Sequence, residues 1–121
     1  MLYHGPMTTK TPKPTARLLD QFYTSRAIVP ALLAATHDCV NGLGLGPCTW
    51  LEPSAGDGAF LEHMPQGSVG LDLAPARPDI VKTDFLSWSA PNATSWIVAG
   101  NPPFGKNSSL AIRFFNHAAT F

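Results

Sequence analysis

The sequence predicts an α/β fold in which short parallel strands alternate with helices, and three observations carry that reading. Four short apolar runs, at 48–51, 69–71, 80–81 and 96–99, each close on a polar or glycine-containing loop, as strands do. Segments with helical spacing fall before, between and after them. Four of the eight acids, Glu52, Asp57, Asp72 and Asp84, stand at or just after the ends of the first three runs. An open parallel sheet collects its ligands on that edge.

Residues 1–19 hold Pro6, Pro12 and Pro14 with Lys10, Lys13 and Arg17 and show no apolar periodicity. They read as a flexible N-terminal arm, either a solvated tail or a basic contact to a phosphate backbone. Residues 20–121 form the folded part. Ile28, Leu32, Leu33 and Ala35 predict a helix over 25–37, with Thr24 as its N-cap and Pro30 in its first turns. Gly42, Gly44, Gly46 and Pro47 break the chain before the first strand. A second helix is expected over 59–64, between the first two strands. A third is expected over 108–119, where Phe114 and Phe115 read as core.

The chain has 121 residues, 45% of them hydrophobic and 13% charged, which describes one domain with a buried core rather than a disordered segment. Eight basic residues balance eight acidic ones, so any nucleic-acid contact has to come from a local patch. Cys39 and Cys48 lack CxxC spacing, and His4, His37, His63 and His117 lack metal-ligand spacing. Neither a structural disulfide nor a metal site is expected. No apolar run approaches the roughly 18 residues of a membrane helix and the start does not resemble a signal peptide, so the expected setting is cytoplasmic.

The chemistry concentrates after the first strand, in Glu52-Pro53-Ser54-Ala55-Gly56-Asp57-Gly58. Gly56 and Gly58 let the backbone turn sharply and let a ligand approach main-chain N–H groups. Asp72, in Gly70-Leu71-Asp72-Leu73, follows Glu52 at the spacing where an acid grips a ribose. Acids on this rim can accept from ribose hydroxyls, an adenine amino group or an ammonium, three features of one nucleoside-type cofactor. The fourth run leads into Asn101-Pro102-Pro103-Phe104, in which two prolines fix the backbone and remove two N–H donors.

Together these motifs resemble the S-adenosylmethionine-dependent amino-methyltransferases, and specifically the N6-adenine DNA methyltransferases. The resemblance implies a Rossmann-like class I methyltransferase sheet. It makes 52–58 the cofactor loop, with Asp72 and Leu73 at the ribose, Asp84 on the adenine amino group and Phe85 against the adenine ring. Asp20-Gln21-Phe22-Tyr23-Thr24 is similar to the family motif whose Phe, Tyr and Thr flank the methionine end. Phe22 and Tyr23 read equally well as a hydrophobic staple for the following helix. Asn101, Pro102, Pro103 and Phe104 match the catalytic motif. There the Asn101 oxygen and the Pro102 carbonyl would accept the two hydrogens of an exocyclic amine. That draws its nitrogen toward tetrahedral geometry, and Phe104 would stack on a flipped base.

The motifs span about residues 20 to 106, but only four strands are read where a complete domain of this family has seven. The chain is therefore expected to be truncated after the catalytic motif. Strand four would be an exposed edge, open to a partner chain or a second copy. The same catalytic motif occurs in methyltransferases acting on protein glutamine or on guanine in ribosomal RNA. The expected acceptor is adenine in DNA, because the Asp-Gln-Phe-Tyr-Thr motif precedes the cofactor loop. A non-catalytic module that binds a cofactor or a partner is the reading from a different class.

Overall fold

The computed structural model describes residues 25–91 and 95–121. The 1–19 arm, Phe22, Tyr23 and Thr24 lie outside the described residues. In chain order the elements are α1 (Val29–Leu43), β1 (Cys48–Glu52), a 3₁₀ turn (Leu61–His63), β2 (Val69–Asp72) and β3 (Val81–Lys82). A second 3₁₀ turn (Phe85–Ser87), β4 (Ser95–Val98), a third (Lys106–Ser108) and α2 (Ser109–Ala118) follow. All four strands are parallel, in the order β3-β2-β1-β4. The expected α/β fold with a parallel sheet flanked by helices is thus present, with strand boundaries within one residue of those predicted, but the two α-helices lie before β1 and after β4 and the described links between strands carry no α-helix.

The side-chain period of two along β1 divides the core. Trp50 points to one face, where it joins Val29 and Leu33 of α1 with Ala59, Phe60 and Met64. Leu51 points to the other, where it joins Leu71, Phe85 and Phe114 of α2. In β4, Ile97 and Val98, paired in register with Trp50 and Leu51, divide the same way. One helix therefore covers each face of the sheet.

Three expectations are corrected. First, α1 begins at Val29, with Ile28 rather than Thr24 as its N-cap, and runs past His37 to Leu43. Pro30 sets the start: in the first turn its missing N–H costs nothing, whereas deeper in the helix its ring would clash with the preceding turn. The helix passes through Gly42 and stops at Gly44, which sits in the left-handed region (φ 62°, ψ 35°) and donates its N–H to Asn41 O at 3.3 Å.

Second, the helix expected over 59–64 is a single 3₁₀ turn. Gly56 and Gly58 hold positive φ (56° and 82°), and the chain is extended again at Met64 (ψ 160°), so one α-type bond, from Glu62 N–H to Gly58 O at 2.9 Å, is followed only by the 3₁₀-type bonds of His63 and Met64. Third, Phe114 is core but Phe115 is 76% exposed, because adjacent residues point about 100° apart on a helix.

Candidate functional site

The carboxyl ends of the strands form one edge, and strand order sorts the sequence along it. Asp72 and Glu52 end β2 and β1, while Asp84 and Asn101 follow β3 and β4, so residues scattered along the chain stand in one row in the order Asp84, Asp72, Glu52, Asn101. Three strand spacings of about 4.8 Å make that row roughly 14 Å long. The pairing continues beyond the strands: Thr83 N–H donates to Asp72 O (2.9 Å), Ala55 N–H to Leu71 O (2.8 Å) and Ala99 N–H to Leu51 O (3.0 Å).

The glycine loop is built by the acids beside it. Asp72 Oδ2 accepts from the Gly56 N–H and Asp72 Oδ1 from the Ala74 N–H, both at 2.8 Å. Asp57 Oδ1 accepts from the Ala59 N–H at 3.2 Å. Arg26, just before α1, pairs with Asp57 at 3.3 Å and with Glu62, while Arg77 pairs with Asp79 at 2.6 Å and Glu62 at 3.6 Å. Arg77 lies across the loop so closely that a Cβ on Gly58 would fall 2.5 Å from its Nη1. Sequence reading missed both arginines: the pairs Arg26–Asp57, Arg26–Glu62 and Arg77–Glu62 lie too far apart in the chain to leave a local pattern, and only Arg77–Asp79 is local.

Glu52 is the unusual member of the row. Its side chain is 2% exposed and lies against Pro53 and Gly100, where a Cβ on Gly100 would be 3.0 Å from Glu52 Cγ. Its Oε2 is buried without a hydrogen-bond partner. Burial pushes the carboxyl up to about 9 despite the Leu61 N–H, and Asp57 and Asp72 raise it further against Arg77.

The Asn101–Phe104 loop is held at both ends. Ser54 Oγ donates to Asn101 O at 2.9 Å, joining the two motifs across 47 residues. At the other end Phe104 O accepts from the N–H groups of Leu110 (3.0 Å) and Ala111 (3.3 Å), satisfying donors of the first turn of α2. Pro102, Pro103 and Phe104 are half-buried. Beyond them Asn107 and Ser108 hold φ of 54° and 60°, a strained path for residues other than glycine.

A cleft of about 420 Å³ opens beside the loop, lined by residues of α1 (Leu32, Leu33, Thr36), Phe60 and the stretch 98–101. It includes Asn101 but neither Asp72 nor Asp84, so it lies at the Asn101 end of the row. No protein-family model, curated protein or solved structure matches the chain.

The remaining expected site residues divide into two groups. Leu73 is 57% exposed on the rim and offers an apolar surface, while Asp84 caps the following 3₁₀ turn through Leu86 N–H (3.0 Å). Phe85 does not reach the rim. It is 1% exposed and packs on Phe114 and His117, with ring centroids at 5.1 and 4.8 Å, so no face is left for an adenine ring. Among the described residues no group of three metal-ligating side chains occurs, and no helix is long and apolar enough to cross a membrane.

The carboxylate oxygens along the row can accept hydrogen bonds from hydroxyls and from an ammonium. Each Asp72 oxygen has accepted one N–H and retains a lone pair for a hydroxyl, and the orphaned Glu52 oxygen suits an ammonium.

Proposed function

We propose that this chain is the cofactor-binding and catalytic part of a Rossmann-like, S-adenosylmethionine-dependent methyltransferase that modifies an exocyclic amino nitrogen, first of all N6 of adenine in DNA. The observation that carries the reading is the row Asp84, Asp72, Glu52, Asn101, with Ser54 tying the Asn101 backbone to the glycine loop. Glu52, the backbone of 55–58, Asp72 and Leu73 would hold the cofactor, which supplies an electrophilic methyl group on a sulfonium.

Asn101 and Pro102 act on the acceptor. Their oxygens accept the two amine hydrogens, concentrate the lone pair on nitrogen and aim it along the row. Pro102 and Pro103 bring no competing N–H donors, and Phe104 stacks on the base. The anchors at Ser54 and at the start of α2 keep this geometry preorganised. Among the described residues β4 is paired on one side only, and a second chain covering that edge is part of the proposal.

The test offers unmethylated DNA, RNA and a protein extract with labelled cofactor to the wild type and to Asn101→Ala. Wild type is expected to label DNA, and Asn101→Ala to lose on the order of 100-fold or more in rate with cofactor affinity unchanged. Equal transfer by both proteins would remove the role of Asn101. Labelling confined to RNA or protein would replace the acceptor.

A further inference from the structure

The proposed cofactor site contains a carboxyl group that the structure leaves without a countercharge. Glu52 ends β1 at 2% exposure with Oε2 unpartnered, and Asp57 and Asp72 flank it from the glycine loop and from β2. The cation that faces it, Arg77, is committed to Asp79 and Glu62, and Arg26 is committed to Asp57 and Glu62. From α1 it is apolar Val29 and Leu33 that pack toward β1, and from β4 the neighbour is Gly100. The Leu61 N–H is a neutral donor. A carboxylate buried in such company is unfavourable, whereas a neutral carboxyl is tolerated.

We propose that Glu52 keeps its proton in the free chain and releases it to solvent when a primary ammonium group of the ligand docks on its orphaned oxygen. In that step the carboxyl O–H bond breaks, the proton passes to buffer, and a charge-assisted N–H···O bond forms in its place. Ligand affinity then rises with pH through the neutral range, and a ligand lacking the ammonium gains nothing from Glu52. The identity of the ammonium as the methionine end of S-adenosylmethionine rests on the proposed function.

The test is calorimetric titration of the whole chain with S-adenosylmethionine at neutral pH, in phosphate and in Tris, whose ionisation enthalpies differ. The difference in heat is expected to report about one proton released per molecule bound. Glu52→Gln should bind more weakly and release none. Methylthioadenosine, which keeps the nucleoside and lacks the amino acid, should also release none.

Binding by the wild type with no release overturns the inference alone, and absence of binding overturns it together with the function it rests on. Carbon-13 shifts of the Glu52 side chain, followed against pH in the free protein, give a second reading. Ionisation above neutrality supports the retained proton, and ionisation in the ordinary carboxylate range overturns it.

Discussion

Phe85 separates a structural role from a ligand-binding one, and its replacement can be worked through from the packing. The ring is 1% exposed, beneath α2, with Phe114, His117 and Phe121 at centroid distances of 5.1, 4.8 and 6.1 Å. Truncation to Ala removes the whole ring and leaves a cavity against Leu51 and Leu71, which the sheet holds fixed. The expected loss is about 3–5 kcal/mol. Against a total of about 5–15 kcal/mol for a small domain, that is a large share of the stability. Phe85→Leu keeps most of the apolar volume and should cost about 1 kcal/mol, leaving a folded protein to assay. Urea unfolding at constant slope measures both, and cofactor affinity of the Leu variant is measured alongside. An unchanged unfolding midpoint with a collapse in affinity would put the ring at the ligand and refute the core assignment.

Three further outcomes are expected. Asp72→Asn leaves either the Gly56 or the Ala74 N–H without its carboxylate acceptor, so a loss of about 1–3 kcal/mol in chemical unfolding should accompany weaker cofactor binding. Gly58→Ala meets both the positive φ of 82° and Arg77, so destabilisation of about 1–2 kcal/mol from the backbone should persist in an Arg77→Ala background that removes the clash. The Glu52 carboxyl, raised from 4.5 to about 9, binds its proton more tightly in the folded than in the unfolded chain. Its stabilising contribution is complete below pH 4.5 and is lost as pH rises toward 9, with a slope of at most about 1.4 kcal/mol per unit. Thermal melts across that range should show a steeper decline for wild type than for Glu52→Gln.

The fold was legible where local chemistry decides it. Apolar runs ending in acids and glycines located all four strands, and Pro30 and Gly44 carry the signals that start and stop α1. The segment after Gly58 misled because its apolar residues, Ala59, Phe60 and Met64, do pack on α1, yet only one α-type bond forms before the chain extends at Met64. Phe115 was misassigned for a related reason, because sequence marks a residue as apolar without saying which face it occupies, whereas the place of Phe85 at an adenine ring came from the family resemblance alone and sits poorly with its burial.

At the candidate site the acids could be read individually. Their order along the sheet edge comes from topology, which puts β1 between β2 and β4. The links from Ser54 to Asn101 and from Arg26 to Asp57 and Glu62 are tertiary and have no local signature. Glu52 reads in sequence as one acid of a motif, and its burial beside Gly100 is what makes it unusual.

The most direct measurement of the central claim follows backbone amide resonances of the isotopically labelled chain during titration with S-adenosylmethionine. Saturable shifts are expected along one edge, at Ala55, Gly56 and Gly58 of the glycine loop, at Asp72, Leu73 and Ala74, at Asp84, and at Asn101. Resonances of α2 around Phe115, on the outer surface, should stay in place. A folded chain whose spectrum does not change, or changes only away from that row, would contradict a cofactor site at the carboxyl edge of the sheet.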